Sequence, residues 1–357
     1  MELKREDIQV LRTKSRATSQ VTFDVDYNVP DVKPDIGRMI QNKGNVSVEE
    51  VRLNDGHAFL KGNLQVDLLY VGDEEGRVNS LSAKLPMEET MNLEGIVSGD
   101  KLCLQWEIED LSIHLIHSRK LNIKAVVTFY AAVDELSGIR LPVSLEDENI
   151  SVQKKTMRLL DLAIHKKDTL RLKEEVELVS NKPNIVELLW YSLEVRGLDL
   201  RPEENVVKAK GELFLFALYR GDNEGETVQW LENSIPFSSE VECNGCTSDM
   251  IPNFASSVIN QSVEVKPDSD GEERILVTDL VLELDIRLYR EENFDVIMDV
   301  YTPFCQCIPK CRNEVMESLL VRNFSKCRVS DRIEIKEMQG KILQICHSQG
   351  KVKIDKT

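Results

Sequence analysis

Positive charge is scarce in this sequence. Lys and Arg together number 45 against 62 Asp and Glu, which gives a formal net charge of −17 at pH 7. Because the phosphate backbone is itself negative, a protein with this balance repels nucleic acid instead of collecting it. We therefore expect no nucleic-acid partner.

Long apolar runs are also missing. The longest, "AVVTFYAAV" at 125–133 and "LFLFALY" at 213–219, have the length of a strand and fall far short of a membrane-spanning helix. The first twenty residues carry charges throughout and contain no apolar core of signal-peptide length. The sequence predicts a soluble, cytoplasmic protein without an integral membrane segment.

Catalytic motifs are absent as well. Neither Gly-x-Ser-x-Gly nor His-Glu-x-x-His occurs, and the chain has only five histidines. His114 and His117 stand three apart in an alternating segment, which predicts opposite faces of a strand and argues against a shared metal. Gly37 stands alone, without the glycine cluster and Lys-Ser/Thr of a phosphate loop. We expect no enzyme activity and no cofactor.

What the sequence does contain is an internal repeat. The tetrapeptide "KPDI" at 33–36 recurs 149 positions later as "KPNI" at 182–185. The same shift carries Tyr70 onto Tyr219 and the acidic glycine-bounded turn at 72–76 onto the turn at 221–225. A constant shift over so many positions indicates a tandem duplication, which suits a chain of 357 residues.

Each copy reads as β structure. The segments at 59–85 and 207–231 alternate apolar and polar residues on both sides of a glycine-bounded acidic turn, which is typical of a hairpin. Further alternating runs follow in both copies. The predicted fold class is mainly β, with tandem repeats of an antiparallel, sandwich-like domain and few short helices.

The repeat also predicts the domain boundaries. Residues 1–150 form the first β domain with a lead-in, and 151–315 form a connector plus a second, diverged domain. The connector is the charged segment 145–178, which has no Gly or Pro. Residues 316–357 are interpreted as the start of a third repeat, because "KILQICHSQGKVKI" at 341–354 matches "DIGRMIQNKGNVSV" at 35–48. We expect the sequence to stop inside that repeat and to be a fragment.

The stretch "NVPDVKPDIGRMIQ" at 28–41 is interpreted as the entrance to the first domain. Proline disfavours a helix at the residue before it, so the chain can turn helical only after the second proline. We expect one short helix near Ile36–Gln41. The four nearby aspartates lack the regular spacing of a calcium loop, so a solvated acidic turn is favoured over a Ca²⁺ site. These aspartates are Asp24, Asp26, Asp31 and Asp35.

Five of the eight cysteines have spacing that resembles two halves of a zinc site. They are Cys243, Cys246, Cys305, Cys307 and Cys311. After a one-residue insertion the repeat places the first two opposite Leu93 and Ile96, positions that accept cysteine as a small buried hydrophobe. Structural thiols are favoured and no metal is expected, with zinc and cross-linking left as alternatives.

One motif is long and specific. A predicted strand, Leu69-Tyr70-Val71, follows it. The motif consists of Tyr27, Asn28, Val29, Pro30, Asp31, Lys33, Pro34, Asp35, Ile36 and Gly37. On these residues the first copy resembles the SPOCS domain family of endospore-forming Firmicutes, which includes the spore morphogenesis protein SipL. The second copy loses the Tyr-Asn-Val-Pro segment and so is diverged. It keeps Lys182, Pro183, Asn184 and Ile185.

The resemblance implies a function. Such proteins act in spore coat morphogenesis, typically end in a LysM module, and tether coat components at the forespore surface in the mother cell through the coat ATPase SpoIVA. No LysM module is visible in these 357 residues. The resemblance thus implies a non-enzymatic scaffold with a protein partner, and exposed edge strands offer a route to homo-oligomers. A glycan-binding or envelope-associated β-repeat protein stays as the alternative.

Overall fold

The computed structural model describes residues 2–74, 76–147, 149–225 and 227–304, and then 306, 308, 310–323, 328–332, 345–348 and 350. The first half of the chain, residues 2–147, forms six strands. They are β1 (Glu2–Asn28), β2 (Ile36–Asn54), β3 (His57–Gly72), β4 (Val78–Asn92), β5 (Leu102–His117) and β6 (Lys120–Glu146).

The second half, residues 149–304, repeats the same six strands in the same order. They are β7 (Ser151–Glu177), β8 (Ile185–Glu203), β9 (Val206–Gly221), β10 (Val228–Glu242), β11 (Ile251–Pro267) and β12 (Glu273–Tyr301). The bounds of β8 and β9 lie 149 positions after those of β2 and β3, which is the shift found in the sequence. The tandem repeat is confirmed, and so is the mainly β class.

Each half is a sandwich of two antiparallel three-stranded sheets. In the first half the sheets have the orders β1-β6-β5 and β2-β3-β4, and in the second half β7-β12-β11 and β8-β9-β10. Along the central strands every second side chain faces the opposite sheet, although β9 also buries side chains of its other face at 214 and 216. In the first half Leu64 and Tyr70 of β3 share one core with Ile123 and Phe129 of β6. Burying such apolar side chains, at about 1.5–3 kcal/mol each, holds the sheets together.

Four strands, β1, β6, β7 and β12, extend beyond the third strand of their sheets and pair there as two-stranded ribbons. Residues 2–13 of β1 pair with 134–146 of β6 beyond the end of β5, and this is the first ribbon. Residues 151–161 of β7 pair with 290–301 of β12 beyond β11, and this is the second ribbon. The two ribbons bury a shared core that joins the halves. Its buried members are Ile8, Ile139, Leu141, Val143, Leu159, Phe294 and Val296.

The predicted short helix near Ile36–Gln41 is wrong, because these residues begin β2. Two bulges, between Ile36 and Arg38 and between Met39 and Gln41, each insert a residue opposite β3. A bulge breaks the two-residue alternation, so Ile36 and Met39 reach the core at the three-residue spacing that a helix would give. No helix occurs in the residues that the structure describes.

Two other predictions concern the connector and the third repeat. The charged segment 145–178, predicted as a connector, contains β7, which is an edge strand of the second half. Much of the predicted third repeat, 324–327, 333–344, 349 and 351–357, lies outside the described residues. The domain limits at 150 and 315 therefore stay predictions.

Candidate functional site

The corner between β1 and β2 carries most of the motif residues, and one arginine holds it. Arg119 lies in the turn just before β6. Its Nη2 donates to the carbonyls of Val29 (3.2 Å) and Pro30 (3.0 Å). Its Nη1 donates to the carbonyl of Lys33 (3.3 Å) and to Oδ1 of Asp35 (2.7 Å). One guanidinium, with its fixed fork of donors, thus ties both ends of the corner to the β5–β6 hairpin.

A second arginine does the same in the second half. Arg274 donates from Nη1 to the carbonyl of Lys182 (3.0 Å) and to Oδ1 of Asn184 (2.6 Å). Its Nη2 donates to the carbonyls of Leu178 (3.4 Å) and Val179 (3.0 Å). The contact survives the loss of the Tyr-Asn-Val-Pro segment because most of the acceptors are backbone carbonyls, which any residue supplies.

A buried tyrosine hydroxyl contacts each corner from within the sandwich. Tyr70 donates to the carbonyl of Pro34 (3.1 Å), and Tyr219 donates to the carbonyl of Pro183 (3.3 Å). Burial raises the pKa of Tyr70 to about 12, so the hydroxyl keeps its proton at neutral pH. Gly221 packs so closely on Pro183 that an added Cβ would lie 2.5 Å from the proline Cγ. The two tyrosines occupy equivalent strand positions.

The remaining motif residues also build the corner. Tyr27 is half-buried against the first core, and Asn28 is the last residue of β1 to pair with β6. A Cβ on Gly37 would lie 2.9 Å from the Cα of Asp73, so glycine permits that close approach. Asp31 is fully exposed beside Arg119. The last two members, Ile36 and Ile185, are buried at the starts of β2 and β8. The motif therefore describes an architectural corner.

Sequence reasoning missed both arginines. Arg119 and Arg274 stand 155 positions apart, whereas the corners they hold stand 149 apart. Most of this difference arises because the β11–β12 connection spans residues 268–272 where β5–β6 spans only 118–119, and because Arg274 lies inside β12 whereas Arg119 precedes β6. The constant shift therefore never aligns the two arginines. The available signal was an arginine immediately before or within the start of the last long strand of each copy.

The carboxylates of Asp24 and Asp26 do not form one cluster with the aspartates of the corner. Each of them pairs along the β1–β6 ladder instead, Asp24 with Lys124 (3.3 Å) and Asp26 with Lys120 (2.8 Å). The pKa of Asp24 is lowered first by the hydrogen bond from Asn122 and then by Lys124, and the pKa of Asp26 is lowered first by Lys120 and then by Asn122. Asp24 and Asp26 thus belong to strand β1 and not to the predicted acidic turn, and the four carboxylates do not form one cluster.

Replacing Asp35 with asparagine is expected to make the stability of the first half less sensitive to acid. The hydroxyl of Ser118 (2.7 Å) and the guanidinium of Arg119 lower the pKa of Asp35 below the ordinary value of about 3.9. A carboxylate with a lowered folded-state pKa stabilises the fold above its unfolded-state pKa. That contribution is lost as the pH falls through the folded-state pKa.

The check is the guanidinium unfolding midpoint, followed from neutral pH down to about pH 2 for the wild type and Asp35→Asn. Asp31→Asn is the matched control, because that aspartate faces the same arginine but is fully exposed. Acid profiles of identical slope for the wild type and Asp35→Asn would show that this carboxylate contributes nothing to the corner.

A known family model matches the chain twice, once after each corner. The family model described as "SipL, SPOCS domain" matches residues 35–116 and 184–266. Each match begins one residue before the first strand after a corner, β2 or β8, and continues into β5 or β11. The chain carries two SPOCS domains. No curated protein and no solved structure matches it.

The SPOCS matches leave out the long strands β1, β6, β7 and β12. These strands nevertheless complete one sheet of each sandwich and form the ribbons that join the halves. In the described part of the chain, no helix has the length and apolar character of a membrane span.

The Cys-x-x-Cys of the second SPOCS domain is part of its core. Cys243 and Cys246 are buried, as are Leu93 and Ile96 at the matching positions of the first domain. The Cys246 thiol donates to the carbonyl of Glu203 (2.8 Å), and burial together with Cys246 raises the pKa of Cys243 to about 11. Cys243 is therefore a thiol at neutral pH, whereas zinc binds thiolates.

The other cysteines of the predicted set do not complete a site. Cys311 is exposed and free, and Cys305 and Cys307 lie outside the described residues. Within the described ranges, no group of three or more His, Cys, Asp or Glu side chains is arranged to hold a metal ion.

We expect the purified protein to carry no stoichiometric zinc and its two core thiols to react slowly. Elemental analysis tests the first point, and Ellman's reagent before and after unfolding tests the second. Cys311 serves as the internal control, because an exposed thiol reacts at once. One zinc per chain that disappears in the Cys243→Ser, Cys246→Ser variant would contradict the interpretation as structural thiols.

The two SPOCS domains meet at a seam where β8 lies against the outer face of the sheet β2-β3-β4. Lys43 reaches from β2 across the seam, where its Nζ donates to the carbonyl of Tyr191 (2.7 Å). The same nitrogen lies 4.6 Å from the ring centroid of Trp190 and 3.7 Å from Oδ2 of Asp67. Burial lowers the pKa of Lys43, which Asp67 partly offsets. The Tyr191 ring centroid lies 4.3 Å from the same nitrogen, so the lysine cation is held between the rings of Trp190 and Tyr191 and the Asp67 carboxylate.

A second polar contact extends the seam. Glu187 of β8 accepts from Lys33 of the first corner (2.8 Å) and from Arg220 of β9 (3.1 Å). Arg220 in turn donates to the carbonyl of Val78 and to Oδ1 of Asn79, both at 2.9 Å. The start of one SPOCS domain is thus seated on the outer sheet face of the domain before it.

Unpaired strand edges remain along the array. Within the described residues, each sheet has one central strand, β3, β6, β9 or β12, flanked by two edge strands. An edge strand presents backbone donors and acceptors that can pair with another chain. The SPOCS domains therefore offer surfaces for protein association, whereas their motif residues are occupied in the corners.

Proposed function

We propose that this protein is a non-enzymatic interaction scaffold in assembly of the endospore coat. In this role it tethers coat components at the forespore surface in the mother cell. The observation that carries the proposal is the match of both copies to the SipL SPOCS domain. The coat ATPase SpoIVA is the proposed protein partner, and self-association through strand edges is the proposed route to an oligomer.

The use of the motif residues supports a binding role. In each corner the arginine and the buried tyrosine both hydrogen-bond to the Lys-Pro-Asp/Asn segment, so these residues position the sheets. A scaffold needs just such rigid corners, because they hold outward faces and edges at fixed angles. The net charge of −17 favours a partner with a basic docking surface and disfavours nucleic acid.

Affinity purification of the full-length protein from sporulating cells is the direct test. We expect SpoIVA to co-purify and the purified pair to bind in solution. A tagged protein with Tyr130→Asp, a change at an exposed position on β6, is a first surface variant to compare. Retention on cell-wall glycan together with failure to bind SpoIVA would favour the glycan-binding alternative.

A further inference from the structure

The outer face of the second SPOCS domain carries an aromatic pair that the first domain lacks. Phe214 and Phe216 lie on β9 and alternate with Leu215, which faces the core of the sandwich. They therefore project from the opposite face, yet both are more than nine-tenths buried. At the matching positions of β3 the first domain has Gln65 and Asp67. Something other than the sandwich core covers these two rings.

Part of the cover is a later segment of the same chain. The imidazole of His347 stacks on Phe216, with ring centroids 4.3 Å apart and planes at 17°, and its centroid lies 6.4 Å from that of Phe214. Both ring nitrogens of His347 are buried without a hydrogen-bond partner. Arg196 of β8 lies 3.4 Å from the ring centroid of Phe214. His347 is thus seated on the outer face of β8-β9-β10.

The repeat spacing identifies this contact. Matching Gly350 to Gly44 places His347 at the position of Gln41, and the 149-residue shift places Trp190 at that position in the second domain. The matching bulges in β2 and β8 show that the alignment of Gln41 with Trp190 also holds in three dimensions. Trp190 lies beside Gln65 and Asp67 on the first outer face. His347 meets the second outer face in the same way.

The chain that precedes this segment supports the same relation. The Leu160 amide, on the edge strand β7, donates to the carbonyl of Glu317 (3.0 Å), and Met316 packs on the shared core of the ribbons. One repeat earlier, the Gln9 amide of β1 donates to Asp161 of the following half (2.8 Å). The repeat spacings place the acceptors Glu317 and Asp161 one position apart and the donors Leu160 and Gln9 two positions apart. Two separate contacts of the first and second halves thus recur between the second half and the residues after it.

We propose that the Phe214–Phe216 face is the seat of a third SPOCS-like repeat, to which His347 belongs. Successive repeats join head to tail through one recurring contact, in which the start of each repeat covers the outer sheet of the one before. Polar groups and a lysine fix the first seam, whereas stacked rings fix the second. This inference does not depend on a role in the spore coat.

Hydrogen exchange of the intact chain tests the proposal. Phe216→Asp introduces the residue that the first domain has at this position and removes the stacking partner of His347. We expect amide exchange in residues 345–348 to rise about tenfold, because the variant loses the aromatic stacking on His347 and the apolar surface that the ring buries. His347→Trp, the residue of the second domain, is expected to keep or increase the protection.

The control is Tyr130→Asp, the same kind of change on a sheet of the first half, which should leave this exchange unaltered. Exchange within β9 reports whether Phe216→Asp still folds. Unchanged exchange in 345–348, with β9 intact, would overturn the proposal. Protection that fades on dilution would overturn it too, because it would show that the segment comes from a second copy of the chain.

Discussion

Replacing Tyr70 with alanine is expected to lower the free energy of unfolding of the first half by about 3–5 kcal/mol, the range for deleting a fully buried aromatic side chain. Tyr70 is 0% exposed, packs in the first core and donates to the carbonyl of Pro34. Alanine would leave a cavity and also an unpaired carbonyl at the corner. Tyr219→Ala should cost the second half a similar amount.

Guanidinium unfolding followed by tryptophan fluorescence measures this effect, since Trp106 lies in the first half, Trp230 lies in the second, and Trp190 lies at the seam between them. Tyr70→Phe should lose about 1 kcal/mol, because it removes the hydroxyl alone. The matched control is Tyr130→Ala, which removes a tyrosine that is 42% exposed and should cost much less. A loss in Tyr70→Ala no larger than in Tyr130→Ala would mean that the corner does not depend on this tyrosine.

Much of the fold was predictable because the duplication makes the sequence its own reference. Alternation and glycine-bounded turns predicted the hairpins β3–β4 and β9–β10, and the constant shift predicted Tyr70 and Tyr219 at equivalent positions. Both predictions are confirmed. Period-two patterns are readable wherever one face of a strand is buried and the other is exposed.

The parts that failed have physical reasons. Bulges at Ile36–Arg38 and Met39–Gln41 gave a strand the apolar spacing of a helix. The segment predicted as a connector is charged because β7 is an edge strand with much of its length open to water. In both cases the local pattern was read correctly, but pairing with a distant strand decided the structure.

The corner shows the same limit more sharply. Its motif residues were identified, yet the arginines that hold it come from the other side of each sandwich, 84 residues after Asp35 in the first half and 90 after Asn184 in the second. These arginines donate mainly to backbone carbonyls, which every residue has, so the sequence gives no sign of the contact. A motif therefore marks a corner, while the group that fixes it needs the fold to be known.

The contacts at the seams could not be predicted from the sequence for a different reason. Lys43 has Ser192 at its matching position, and Asp67 has Phe216, so the repeats do not share the residues that join them. Contacts between copies diverge because each seam needs to fit only its own partner. The position of the contact recurs, but its chemistry does not.

Replacing Ile8 with alanine is expected to destabilise the protein by about 2–5 kcal/mol and to separate the unfolding of the two halves. Ile8 lies on the first ribbon and is 1% exposed, although no third strand covers this part of β1. Its cover comes from the shared core, to which the second ribbon contributes Leu159 and Phe294. The side chain therefore stabilises the junction of the halves more than either sandwich.

The measurement is guanidinium unfolding followed by tryptophan fluorescence and by far-ultraviolet circular dichroism. If the shared core couples the halves, the transition of the wild type is shared, and Ile8→Ala divides it or moves the two signals apart. Ile116→Ala is the matched control, because that isoleucine is 52% exposed on β5. Coincident transitions with an unchanged midpoint in Ile8→Ala would show that the ribbons do not couple the halves. The coupling of the two SPOCS domains would then rest on the other contacts between the halves, such as the polar seam around Lys43 and Glu187 and the ion pair of Arg287 with Asp134.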